Sequence, residues 1–298
     1  VTFGIRFVVP ILTAASLLVF TCSNSQTGST RVQSASASGK TIQIIGSDTM
    51  VNLVQAWAEA FSPLHPSVNM SIRGGGSGTG LAALVNNSCD LAMSSRPISE
   101  KEITGAQQNN IEPKEWKVGL DGLVVIVHPQ NPVSSLCLDQ VRDIFLAKIT
   151  DWKELGGDGG KIVILSRESN SGTYLFFKEH VLRRGDKKNT DEFSPDALLM
   201  PSSQAIVNEV SQNPHAIGYV GLGYISPKLK ALSIAKNTTS MAIQPSIKHV
   251  ADDSYPISRP LFFYTNGNPQ TEIKEFLDFA LSTEGQAIVV KTDFVPVK

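Results

Sequence analysis

Strands alternating with amphipathic segments along residues 41–290 predict an α/β fold, with mostly parallel sheets and helices on both faces. Three observations carry this. Short β-branched apolar runs recur at 41–45, 68–72, 123–127 and 161–165. Segments with apolar residues at helical spacing follow the first two runs and stand near the chain end. Polar and glycine-rich stretches gather where a strand hands over to a helix, which is where open α/β sheets place ligands. With 298 residues, 41% of them hydrophobic and 18% charged, the chain can hold two ordinary domains and a sizeable core. Its net charge of -1 provides no global field for nucleic acid or an anionic membrane surface, so any recognition of an anion must be local.

The first segment separates from the fold. Arg6 precedes an apolar run at 7–20 and Cys22 closes it, in the charge-then-apolar order of an export signal. Residues 19–22, Val-Phe-Thr-Cys, look like a lipoprotein signal ending, with Cys22 as the lipidated residue. Thr21 and Phe20 depart from the usual small residues, so ordinary cleavage and a retained anchor stand as alternatives. Residues 23–40 are rich in Ser, Thr, Gly, Gln and Ala and read as a flexible tether. Cys89 and Cys137 match no metal spacing; either they are joined in an exported protein or they are two unrelated small core residues. Five scattered histidines form no metal motif, and no cofactor is expected.

In chain order, the strand at 41–45 leads through Gly46-Ser47-Asp48-Thr49 into a helix carrying Met50, Leu53, Val54, Trp57 and Phe61. Any of the three polar residues can cap that helix, though one cap needs only one of them. The strand at 68–72 leads into residues 73–80, with glycines at 74, 75, 76, 78 and 80 around Ser77. The lack of Gly-Lys-Ser/Thr excludes a P-loop, the spacing misses the dinucleotide fingerprint, and Thr79 breaks the nucleophile-elbow pattern. A small-anion cradle and a tight packing turn both remain. A strand at 90–94 leaves through Ser95-Arg96-Pro97, and Ser99 with Glu102 has capping-box spacing. Arg96 reads either as a ligand or as half of a surface ion pair.

The run at 123–127 predicts a strand buried on both faces, ended by Pro129 and Pro132. Helices are expected at 138–146 and 152–155. The strand at 161–165 then meets Arg167 and Ser171-Gly172-Thr173 at the start of a helical segment reaching residue 182. Free backbone N–H groups, two hydroxyls and a planar five-donor cation make this stretch an anion site. A short helix at 205–210, a glycine-bounded strand at 216–221, short strands within 228–254 and an extended crossing segment at 255–264 follow. Helical pieces at 272–281 and 282–290 close the chain.

Gly46–Thr49, the glycine turn, Ser94-Ser95-Arg96-Pro97, Arg167 with Ser171–Thr173, and Ala216-Ile217-Gly218-Tyr219-Val220-Gly221 stand in an order that resembles the phosphate-binding subunit of phosphate ABC importers. The segments Tyr255-Pro256-Ile257-Ser258-Arg259-Pro260-Leu261 and Ser282-Thr283-Glu284-Gly285-Gln286 fit as well, so the resemblance spans residue 41 to the end. It implies a type II periplasmic-binding-protein fold, with two α/β lobes, a ligand cleft between them and two crossovers. Lobe 1 would be 41–120 plus 256–298 and lobe 2 would be 121–255, after a signal at 1–22 and the tether at 23–40. Inorganic phosphate would be the ligand and a membrane permease the partner. The chain would work outside the cytoplasm as a monomer held by its lipid anchor, with no enzymatic role. The resemblance gives Ser77, Arg167, Ser171, Gly172 and Thr173 as phosphate ligands, with Ser47, Asp48 and Thr49 as a matching segment. Gly78 and Ser95 join them, with Arg96 as a further candidate ligand.

One departure bears on selectivity. Where the best-known members use an Asp to accept the phosphate proton, this chain has Ser95, and Asp48 stands where Thr is frequent. Asp48 is then either the missing carboxylate acceptor or a plain cap. Two other classes compete. An exported phosphate-handling hydrolase lacks a metal cluster or a base beside Ser171. A sulfate or molybdate binder would be built of neutral donors, without Arg167.

Overall fold

The computed structural model describes residues 40–297, so the signal segment, Cys22 and the tether before residue 40 lie outside it. The chain opens with β1 (Lys40–Gly46), a 3-10 turn at Asp48–Met50 and α1 (Val51–Phe61). Then come β2 (Val68–Arg73), α2 (Ser77–Val85), β3 (Leu91–Ser94) and α3 (Glu100–Gln108). The long β4 (Pro113–Val127) precedes β5 (Ser135–Cys137), α4 (Leu138–Phe145) and a 3-10 turn at Trp152–Leu155. Next are β6 (Val163–Arg167), α5 (Gly172–Phe177), β7 (Leu198–Met200), α6 (Ser203–Val210) and β8 (Ala216–Gly221). Short β9 (Lys230–Ala231) and β10 (Ser233–Ala235) lead to α7 (Ile247–Ala251), β11 (Ser258–Asn266), α8 (Thr271–Leu281) and α9 (Thr283–Lys291).

The main sheet runs β2-β1-β3-β11-β4-β8-β6-β7, with β9 also on β4; β5 and β10 pair separately. Its two ends are parallel, as expected, while β4 and β11 are antiparallel to each other and to their outer neighbours. These two long strands hold the halves together. The first part of β4 pairs β11, and its last five residues, Leu123–Val127, pair β8. The chain thus passes from one half to the other along β4 and returns into β11, the two crossovers that the resemblance implies.

Alternation along each strand sends side chains to opposite faces. In β4, Leu123, Val125 and Val127 join a core with Phe145, Phe177 and Tyr219, while Val124 and Ile126 join another with Leu165, Ile206 and Val210. The first half repeats the pattern. Leu261 and Phe263 of β11 pack with Ile44, Trp57, Phe61 and Phe276, whereas Phe262 and Tyr264 pack with Leu81, Leu84 and Ala106 on the reverse face. Helices therefore cover both faces of each half. In α1 the stripe Leu53, Val54, Trp57, Ala58 and Phe61 is buried, and Trp57 Nε1 ties it to α9 through Gly285 O at 2.8 Å.

Several details correct the sequence reading. The region 228–254 holds α7 as well as β9 and β10, because Ser246 caps it through His249 N despite its brevity. The helix after Ser171 breaks at Phe177 into a π-helical turn, Lys178–Leu182. The strands β5 and β7 are three residues each, too short to show a period in sequence. As the spacing predicts, the capping box at Ser99 and Glu102 forms, with both reciprocal bonds present.

Cys89 and Cys137 are free thiols. Burial, with Asp90 nearby, pushes the Cys89 thiol up to about 12, so little thiolate exists at neutral pH. A thiol reagent at pH 8 should therefore leave both cysteines of the native Cys22→Ser protein unmodified for hours and label both once the chain is unfolded in denaturant. Rapid labelling before unfolding would contradict their packing.

Candidate functional site

The parallel strands on both sides of the crossover deliver their carboxyl ends to one place. From the first half come Ser47, Asp48 and Thr49 after β1, Ser77 at the start of α2 and Ser95 after β3. From the second come Arg167 at the end of β6 and Ser171–Thr173 at the start of α5. Ser47, Thr49, Ser77, Ser95, Arg167, Ser171 and Thr173 are all buried, an unusual density of polar side chains away from water.

Three layers of contact join the halves. Deepest, Thr49 Oγ1 and Thr173 Oγ1 are hydrogen-bonded at 3.0 Å. In the middle, Gly172 lies against Ser77 and Ser95. A Cβ at residue 172 would stand 2.2 Å from Ser77 Oγ and 2.8 Å from Ser95 Oγ, so only glycine fits. Ser77 Oγ in turn accepts from Ser95 N at 3.0 Å and lies 3.3 Å from Ser95 Oγ. At the rim, Asn170 grips the glycine turn. Its carbonyl accepts from Gly78 N at 2.9 Å, and its Nδ2 donates to Gly75 O at 2.8 Å and to Thr79 Oγ1. Gly76 sits at φ 93° with its α-carbon turned to the Asn170 carbonyl, where a Cβ would come within 2.7 Å. The glycine turn is thus a docking face for the opposite half.

Arg167 and Asp48 form an ion pair between the halves. Nη2 donates to Asp48 Oδ2 at 2.5 Å, and the guanidinium is 2% exposed. Nε donates to Met200 O, Nη1 to Ser203 Oγ and Nη2 also to Pro201 O. One N–H on Nη1 is left over from the five that an arginine carries. Asp48 Oδ1 accepts from Gly75 N at 3.1 Å, and Tyr224 donates to the Asp48 carbonyl at 2.6 Å. Asp48 is not a cap: no side-chain capping bond forms at this turn. Ser171, by contrast, is a true cap, accepting from Thr173 N and Tyr174 N.

The structure does not bring Arg96 into the group. Its guanidinium forms a two-pronged pair with Glu102, at 2.7 and 2.8 Å, and donates to Pro97 O, an ion pair that is mostly buried rather than on the surface. Other residues escaped the sequence reading. Arg259 and Asp121, on β11 and β4, form an ion pair with both side chains fully buried beside Thr49. Tyr219 fixes the end of β6 through Ser166 Oγ at 2.7 Å. Asn170 and Tyr224 lie within or beside the motif stretches, but neither has a role in the sequence reading. Arg259 and Asp121 each had a sequence signal, a lone charge within or beside an apolar run.

The chain matches the family described as the PBP superfamily domain over residues 30–284. It is 33% identical to the phosphate-binding protein PstS of Pseudomonas aeruginosa over 282 residues, covering 89% of this chain and 85% of that protein. Among solved structures it resembles a phosphate ABC transporter substrate-binding protein from Clostridium perfringens with bound phosphate. The TM-score is 0.78 and the identity 33%, over 87% of this chain and 100% of that one. An ABC-type phosphate transport receptor from Vibrio cholerae superposes with a TM-score of 0.67 at 28% identity, over 86% and 100%. Strand-end turns facing one another across two crossover strands, together with these similarities, place the chain in the phosphate-binding protein family of the PBP superfamily, with the type II fold.

Proposed function

We propose that this protein captures inorganic phosphate outside the cytoplasm, between lobes 41–120 plus 256–298 and 121–255, and hands it to the permease of an ABC importer. The observation that carries the reading is the approach of Gly172 to the hydroxyls of Ser77 and Ser95, which gathers donors from both halves around one buried spot. Ser47, Ser77 and Ser95 donate from one side, and Arg167, Ser171, Gly172 and Thr173 from the other, while the N–H of Gly78 is taken by the Asn170 carbonyl. A hydrogen bond to a charged group contributes about 1.5–3 kcal/mol, so a handful shared between two bodies suffices both to bind the anion and to close the cleft. Lipidation at Cys22 would keep the protein near the permease.

Selectivity rests on Asp48. A carboxylate only accepts hydrogen bonds, so it favours a protonated phosphate over fully ionised sulfate. Each Asp48 oxygen has one donor from the protein and keeps a further lone pair for a phosphate O–H. The same charge balances Arg167, so an arriving anion finds an oriented cation already neutralised.

Isothermal titration should show phosphate and arsenate binding one to one, with sulfate and molybdate at least about a hundredfold weaker. Arg167→Ala should abolish binding in a protein that still melts cooperatively. Sulfate binding as tight as phosphate would contradict the ligand assignment. In Asp48→Asn the gap between phosphate and sulfate should close; an unchanged preference removes the acceptor role. Asn170→Ala removes the side-chain bonds of the rim clasp to Gly75 and Thr79, leaving the carbonyl bond to Gly78 and the buried donors in place. Stopped-flow measurements should give phosphate release about tenfold faster, with the order of ligands unchanged. Release at the wild-type rate would make the clasp incidental.

A further inference from the structure

Beneath the donors described so far lies a second buried guanidinium. Arg259 is 1% exposed on β11, and its Nε and Nη2 donate to Asp121 Oδ2 on β4 at 3.0 and 2.8 Å. Asp121 Oδ1 accepts from Leu222 N at 3.0 Å, so this carboxylate binds together both crossover strands and the turn after β8. A pair tied this firmly could be only a pin between strands. Two facts go beyond that. Nη2 also donates to Thr49 Oγ1 at 3.2 Å, and Nη1 is buried with no partner at all.

The guanidinium is planar, and its edges face different ways. The Nε–Nη2 edge meets Asp121, so the second N–H of Nη2, the one aimed at Thr49, lies on the Nη1–Nη2 edge. One N–H of Nη1 runs parallel to it. The unpaired face of this cation is therefore turned toward the Thr49–Thr173 contact. The centre of the Phe176 ring, on α5 with Thr173, lies 5.6 Å from the guanidinium carbon.

We infer that Arg259 is a positioning residue for the anion, acting through Thr49 on Thr173. This rests on the phosphate-binding reading above. Thr49 Oγ1 has one hydrogen to donate and two lone pairs. Arg259 occupies one lone pair with a charged donor, which makes the Thr49 O–H a stronger donor toward Thr173. Thr173 Oγ1 then accepts from Thr49, and its own hydrogen is free to point into the cleft. With the opposite polarity Thr173 would donate to Thr49 and offer a bound anion only lone pairs. The charge of Arg259 thus orders two hydroxyls, one from each half, so that Thr49 donates to Thr173 and Thr173 donates to the anion. Its bond to Thr49 spans the crossover and the first half, and the next bond crosses the cleft, so the ordering is complete only when the halves meet.

Removing Arg259 outright would strand a buried carboxylate, so the test uses milder changes. Phosphate affinity is measured by titration for the wild type, Thr49→Val, Thr173→Val and their double variant, and for Arg259→Lys with and without Thr49→Val. Failure of the wild type to bind phosphate would sink the function itself and is read separately. The relay predicts that Thr49→Val weakens binding about tenfold in the wild type but adds less than about twofold once Thr173 is Val. Lysine keeps the charge on Asp121 but has no second edge, so Arg259→Lys should weaken binding as Thr49→Val does, and the two should not add. Thr49→Ser, which retains the hydroxyl, should recover most of the affinity. Additive losses in the Thr49–Thr173 pair, or wild-type affinity in Thr49→Val, would overturn the inference. If Arg259→Lys does not fold, the threonine cycle decides alone.

Discussion

A buried guanidinium persists only where its charge is met, and in this protein the charge that meets Arg167 comes from the other half of the molecule. Breaking a buried pair by removing one partner costs about 3–5 kcal/mol, because the remaining charge has nowhere to go. The Asp48–Arg167 bond therefore favours apposition of the halves. The Gly172 approach, the Thr49–Thr173 contact and the Asn170 clasp all depend on that apposition. The pair leaves the site near neutral before any ligand arrives. Affinity must then come from the number and direction of N–H and O–H donors rather than from net positive charge.

The two long strands make such an arrangement possible. β4 and β11 serve both halves, and Asp121 and Arg259 lock them to each other directly below the donors. Burial pushes the Asp121 carboxyl up, against the opposing pull of Arg259, so this pair is held at an energetic cost. A pair retained at such a place is better explained by what it orients than by stability alone. The two buried ion pairs divide the work: one faces across the cleft, and the other stands at its floor.

Much of this was legible in the sequence. Strand-to-helix turns at Gly46–Thr49, Gly74–Gly80 and Arg167–Thr173 announced themselves because glycine, hydroxyl and capping chemistry is local and needs no knowledge of partners. The buried run at 123–127 was equally plain. What stayed hidden was relational. Asp48 could be read as a cap because nothing in its neighbourhood reveals Arg167, more than a hundred residues away. Arg96 was ambiguous until Glu102 was seen to grip it. Arg259 and Asp121 sit in apolar strands where a lone charge is visible but its partner is not. Asn170 acts chiefly through its backbone and a short amide, which carry no signature in sequence. Long-range pairing and cross-cleft contacts are products of the fold, and local pattern cannot supply them.

The central claim is that one anion is held by both halves at once. A crystal structure of the protein grown with phosphate tests it most directly. The account predicts a tetrahedral anion within hydrogen-bonding distance of Ser77 from one half and of Arg167 and Ser171–Thr173 from the other, with the Asp48–Arg167 pair intact. An anion resting on one half alone, with the other turned away, would contradict it.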